Sequence, residues 1–333
     1  MLRWIFILLF FPIYLPAQEK RFHFTENKMG SPFNIIFYHT DSSEAVEISK
    51  ICFAIVDSLN NIYSDYSPGS EISLLAENAY LEPQPVSDDL LYILKESKNA
   101  WIKSGRVFDI SIGTLTGLWR KARKEKRFPS QSEIRKAKRL TGFKKLQTDT
   151  VNKTVYFTRK GLRLDFGGIV KGYAAQKVID YLTSKKILHA LADAGGDIVM
   201  SEAPPGKTGW TIGINLPQQE NQLWNRNLSL VNCSVATSGD VYQFISHNGK
   251  KYSHIIDPRT GYGVTTQRNV TIIAKDGITA DWLATACSIL PIRKALALAK
   301  RENAALLIAI VRNEKIVTYK TDNFDSFLQK KEP

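Results

Sequence analysis

Cysteine is scarce, with only Cys52, Cys233 and Cys287 in 333 residues, each in an apolar setting. An odd, scattered set without a close pair excludes a disulfide framework and a cysteine-ligated metal cluster, leaving buried thiols as the expectation. Hydrolase elbows and zinc signatures are absent as well. A paired-glycine turn does occur at Gly167-Gly168. It lacks both the Gly-Lys-Ser/Thr of a Walker loop and the third glycine of a dinucleotide fingerprint. No long linker, low-complexity tract or clear internal repeat divides the chain. One compact mixed α/β (α+β) body is therefore the simplest architecture. Long apolar runs are missing too, except from Trp4 to Leu15, which Pro12 interrupts and Pro16 follows. That run is too short for a comfortable membrane span. With Arg3 ahead of it and Ala17-Gln18 behind, residues 1–17 read as an export signal and 18–333 as the folded domain, an uncleaved anchor being the alternative. No cysteine follows the signal, which argues against a lipid-anchored lipoprotein. In a bacterium the destination is the periplasm or the periplasmic face of the inner membrane.

Acidic residues are outnumbered, 32 against 45 Lys and Arg, for a formal charge of +13. Much of the excess lies between Arg120 and Lys145, where twelve basic residues face Glu125 and Glu133. This stretch is either a solvated helix and loop or a patch for anionic lipid or an acidic partner. Nucleic acid is disfavoured by export and by the lack of any binding motif.

What is present centres on Leu164-Asp-Phe-Gly-Gly-Ile-Val-Lys-Gly-Tyr173. Gly161–Leu164 alternates like a strand, while Val170, Ala174, Val178 and Leu182 recur at helical spacing. A strand, a glycine turn and a helix N-terminus with Lys171 in its first turn form either an anion cradle with a lysine clamp or an ordinary turn. Around it the pattern predicts strands at 22–24 and 33–38, and helices over Ser43–Tyr63, from Glu71, over Ser87–Ser104 and over Ser132–Leu140. Phe108–Gly113 reads as extended, and 154–158 with 162–164 as a hairpin. Further on, strands are expected at 190–193, 210–216, 234–238 and 270–274. Helices at 278–290 and 293–301 precede a closing hairpin around Asn313-Glu314.

Asp281 and Thr285 stand four apart on one of these helices and share a face. Together they either offer two oxygens to a hard cation such as magnesium, or cap the helix and bond back to a carbonyl. His254 is either a general base or a structural histidine at a strand end. Asp165, Asp193, Asp197 and Asp240 each adjoin glycine or closely precede it, where turn acids are common.

Taken in order, Asp165–Tyr173, Ala194-Gly-Gly-Asp197, Ala236-Thr-Ser-Gly-Asp240, His254-Ile-Ile-Asp-Pro-Arg-Thr-Gly261 and Asp281-x-x-x-Thr285 resemble the motif set of the ApbE family, the FAD:protein FMN transferases. The Met29-Gly30 turn and Phe108-Asp109 look like the same family, so the resemblance spans roughly 22–320. It implies transfer of FMN from FAD to a threonine hydroxyl of a target protein, with magnesium assisting and AMP released. It also implies that Asp165 and Lys171 contact FAD, and that Met29, Tyr66, Val107, Phe108, Asp109, Thr237, Ser238 and Ile256 line its pocket. Asp281, Thr285 and the Gly168 carbonyl would hold the metal, and His254 would take the threonine proton. The implied acceptor is a redox protein with a Ser/Thr-Gly-Ala-Thr-like sequence, which this chain lacks, making it the enzyme rather than a target. Val170, where the family usually has alanine, and Trp282, where it has a small residue, are departures. The same residues also suit FAD hydrolysis to FMN and AMP, or an FAD-binding module without turnover.

Overall fold

Residues 18–214, 226–239, 243–312 and 315–329 are described by a computed structural model. Arg268–Ala274 is buried at every position, as a strand covered on both faces must be. It lies inside an eight-stranded antiparallel sheet. From edge to edge the strands are Lys20–Lys28, Ser31–His39, Ala190–Asp193, Asp197–Met200, Cys233–Gly239, Arg268–Ala274, Ala305–Arg312 and Lys315–Lys320. Alternation sorts the side chains: Ile272 and Val270 face the larger core, Ile273 the smaller one. The smaller core is closed by Trp210, Leu228, Leu230, Phe324 and Leu328.

The helices are α1 (Ser42–Tyr63), α2 (Glu71–Asn78), α3 (Asp88–Lys103), α4 (Gly113–Lys124), α5 (Gln131–Leu140), α6 (Val170–Ser184), α7 (Gly277–Ile289) and α8 (Ile292–Arg301). Their starts follow from capping side chains. Asp41, Ser70, Ser87, Ser130 and Asp276 accept from the first-turn N–H groups of α1, α2, α3, α5 and α7. Helices α6 and α7 cross at two glycines. A Cβ on Gly172 would lie 2.0 Å from the Gly277 carbonyl oxygen, and one on Gly277 would lie 2.1 Å from that of Gly172. Backbone meets backbone there, which fixes the ends of both helices relative to each other.

Two local expectations fail. Leu162–Leu164 does not pair with 154–157; that strand pairs instead with Leu146–Asp149 and Gln84–Pro85. The segment bonds to the chain around Ile110, with Gly113 N–H donating to Arg163 O and Asp165 N–H to Ile110 O. Nor is Phe108–Gly113 extended throughout. Asp109 caps a 3-10 turn at Ile110–Ile112 that runs directly into α4. Helix α4 itself went unforeseen because its charges obscure the buried stripe of Leu115, Trp119 and Ala122. The proposed export segment 1–17, Asp240, the end of the 210–216 strand and the Asn313-Glu314 turn lie outside the described residues. No described helix is long and apolar enough to cross a membrane.

Candidate active site

The loop before α6 is shaped by Asp165, whose Oδ1 accepts from Gly167 N–H at 2.8 Å. Ile169, at the N-cap of α6, gives no side-chain cap. The cap comes from another helix: Asp281 on α7 accepts from Gly172 N–H through Oδ2 at 3.0 Å. Asp276, not Asp281, caps α7. The Thr285 hydroxyl makes no hydrogen bond to a carbonyl among the described residues. It faces Gly168 so closely that a Cβ there would lie 2.6 Å from Thr285 Oγ1. Asp281 therefore caps α6 rather than its own helix, and no back-bond from Thr285 to a carbonyl is present among the described residues.

Asp197 joins the group from the strand after Gly195-Gly196. Burial pushes the Asp197 carboxyl well up, the Asp281 charge adds to this, and Lys171 works against it. Burial likewise raises Asp281, opposed by the Gly172 N–H and by Lys171. Two carboxylates, one lysine, a free hydroxyl and a glycine backbone therefore share one poorly solvated corner. The described residues contain no group of three or more His, Cys, Asp or Glu suited to a metal. The donors are hard oxygens, few of them charged. They fit magnesium completed by water or ligand phosphate better than zinc or another soft-ligand ion.

This corner is one wall of a cavity of about 330 Å³, within the range of small-molecule sites. Of the residues named from sequence, Gly168, Lys171, Asp165, Asp281 and Thr285 line it here. Tyr66, Val107, Phe108, Asp109, Thr237, Ser238, His254 and Ile256 line it as well. Met29 is not among the lining residues. It forms the tight turn between the first two strands at φ 51°, packed against the larger core. Asp109 has a structural task as well: its carboxylate accepts from Ser111 N–H, Ser111 Oγ–H and Phe143 N–H, so burial raises its pKa against those donors.

His254 follows the strand Lys250–Ser253, with its own N–H held by the Gln243 carbonyl. The residue is exposed where it lines the cavity, with protein packed around the rest of the ring. That crowding, and then the Arg123 charge, lower its pKa from 6.5, keeping it neutral and able to accept a proton.

Sequence reading missed the contribution of α4. Arg120 bonds Asp65 at 2.8 Å, lies 3.8 Å from Asp165, and stacks on the exposed Tyr66 ring with 4.1 Å to its centroid. Arg123, Thr116 and Trp119 also line the cavity. The signal was the apolar spacing of Leu115, Trp119 and Ala122, which leads into the basic run.

Hard-oxygen donors, a histidine whose neutral form is favoured and the cations Lys171, Arg120 and Arg123 line one cavity on a mixed α/β scaffold, which suits an anionic ligand. The chain belongs to the ApbE family, whose model matches residues 29–308. It is 28% identical over 303 residues to a FAD:protein FMN transferase of Klebsiella pneumoniae, covering 90% of this chain and 92% of that one. The solved flavin transferase ApbE from Vibrio cholerae superposes with a TM-score of 0.82 at 25% identity, covering 93% of this chain and 100% of that one. The ApbE protein from Thermotoga maritima gives 0.84 at 26% identity, with coverage of 93% and 100%.

Proposed function

We propose that this chain transfers FMN from FAD to a threonine hydroxyl of an acceptor protein, releasing AMP. The observation that carries the reading is the placement of His254 in the same cavity as Lys171, Gly168, Asp281 and Thr285, in a chain of this family. His254 receives the threonine proton as the hydroxyl oxygen attacks the phosphorus of the FMN half. A new P–O bond forms to threonine, the bridging P–O bond breaks, and AMP carries away that electron pair. Lys171 and the backbone around Gly167-Gly168 hold the diphosphate in line. Magnesium, held by Asp281, Thr285 and the Gly168 carbonyl, would supply charge neutralisation on the diphosphate. The acceptor would be a redox protein with a Ser/Thr-Gly-Ala-Thr-like sequence. Residues 1–17 support export, which would place the reaction in the periplasm or at the periplasmic face of the inner membrane.

The test is intact-mass measurement of a candidate acceptor domain after incubation with the chain, FAD and magnesium. One added FMN with AMP released, both lost in Asp281→Ala, is the expected result. AMP and free FMN without a mass gain, across several acceptor domains, would replace transfer by hydrolysis. FAD binding with no AMP would leave a binding module.

A further inference from the structure

The basic stretch that begins at Arg120 is not one solvated face. Its charges divide by partner. Arg120 is spent on Asp65 and Asp165, and Arg127 on Glu125 and Glu133. Lys121 approaches Glu125, and Lys145 donates to the Thr141 carbonyl. Lys124, Lys126 and Lys136 are exposed to solvent. Arg123 belongs to neither group. It is half-buried, it lines the cavity, and among the described residues its guanidinium has no ion pair and no side-chain hydrogen bond. A cation withdrawn from water without a counter-charge is unfavourable unless an anion arrives with the ligand. The carboxylates of Asp65 and Asp165 are paired with Arg120.

We propose that Arg123 is a phosphate-binding residue of the cavity, donating to oxygens of the FMN phosphoryl group on the side where His254 stands. This rests on the flavin-transfer reading above. Two features place the contact. Arg123 lines the same cavity as His254 and Tyr66, and its charge is felt at both. Gly168, Asp281 and Thr285 line that cavity with Lys171, so a phosphoryl group reaching both Lys171 and His254 lies in the space that Arg123 also faces. The planar fork of arginine suits two phosphate oxygens at once, which a lysine point charge does not. The neighbouring Arg120 cannot replace it, because the Asp65 and Asp165 pairs hold its guanidinium against Tyr66.

The experiment is flavin-fluorescence titration of the full chain with FAD, FMN and riboflavin, for wild type, Arg123→Ala, Arg123→Lys and Lys124→Ala. The loss of a charged hydrogen bond predicts FMN and FAD affinities about tenfold to a hundredfold weaker in Arg123→Ala. Riboflavin, which has no phosphate, binds the variant as it binds wild type, so the preference for FMN over riboflavin collapses. Arg123→Lys restores part of that preference, and Lys124→Ala, one residue along the helix but outside the cavity, leaves it intact. Equal weakening of riboflavin and FMN would mean a packing role and overturn the inference. So would an unchanged preference, or an equal effect of Lys124→Ala, which would indicate a diffuse field. A wild type that binds FAD but modifies no acceptor sinks the transfer reading alone and leaves the Arg123 arm decisive. A wild type that binds no flavin overturns both.

Discussion

Thr285 Oγ1 lies 2.6 Å from the point a Cβ on Gly168 would occupy, with Thr285 Cβ and Cγ2 each 3.2 Å away. The glycine is required by this approach, not by its backbone angles, since its φ is not positive. Gly168→Ala must push the threonine hydroxyl off its position. The expected result is a fold that survives, with the magnesium concentration for half-maximal turnover raised at least tenfold. Thr285→Ala removes the same donor, so the double variant is no worse than Gly168→Ala alone. Magnesium titration of FAD turnover measures this, and an additive loss would separate the two residues.

The crossing of α6 and α7 predicts a stability effect of a different kind. Gly172 and Gly277 each present a space closed by the other's carbonyl at 2.0 and 2.1 Å. Backbone cannot rotate away as a flexible side chain can. Gly172→Ala or Gly277→Ala therefore costs about 3 kcal/mol or more, at or beyond the upper end of overpacking. The cost appears as a lowered Tm in the absence of any ligand. Tm values within a degree of wild type would show that the helices separate easily, and with them Asp281 and Lys171.

Local patterning made much of this molecule legible before its structure. Ser87, Ser130 and Asp41 sit before apolar-periodic runs, and the helices begin where those caps dictate. The ordered motifs gathered Gly168, Lys171, Asp281 and Thr285 only through their resemblance to the ApbE family; Lys171 stands in the first turn of α6, while Asp281 and Thr285 share one face inside α7. Pairings between distant segments were not legible. Leu162–Leu164 looks like a strand, but the Arg163 carbonyl accepts from Gly113 N–H and the next N–H, that of Asp165, donates to the Ile110 carbonyl, more than forty residues away. Arg120 and Arg123 were hidden for a related reason. A run of twelve basic residues looks uniform, and only the burial of Trp119 and Ala122 turns two of its arginines inward.

Arg120 ties Asp65 to two site residues, Tyr66 and Asp165, which makes its removal informative. Asp65 is half-buried, and its carboxyl is raised by burial and by Asp165 while Arg120 opposes both. Arg120→Ala leaves that carboxylate without its donor, for a destabilisation on the order of 1–3 kcal/mol. It also frees the Tyr66 ring from its cation stack, so FAD affinity falls. Asp65→Asn in the same chain recovers stability, because the stranded charge is gone, yet does not restore FAD affinity. Thermal melts and flavin titration of the single and double variants separate the two effects. Recovery of both together would assign Arg120 to structure alone.

His254 supplies the pH dependence. Crowding lowers its pKa first and Arg123 second, while the Gln243 carbonyl and Asp165 pull it up and Lys171 pushes it down. The neutral form is thus favoured by the folded state, so the sign is that of a base with a depressed pKa. Its contribution to stability is present above the unfolded value near 6.5 and is lost as pH falls through the folded value. Catalysis follows the same proton. kcat/KM for transfer is flat above 6.5 and declines only below it, with an apparent pKa under 6.5. Arg123→Ala moves that limb upward by the share the guanidinium supplies, without reaching 6.5, because the crowding remains. His254→Gln removes the limb and most of the rate. The profile of wild type, Arg123→Ala and His254→Gln between pH 4.5 and 8, a range of roughly two units below to above the free-histidine value, decides the matter. A limb at or above 6.5 in wild type would mean that the ring is solvated and that another group accepts the proton.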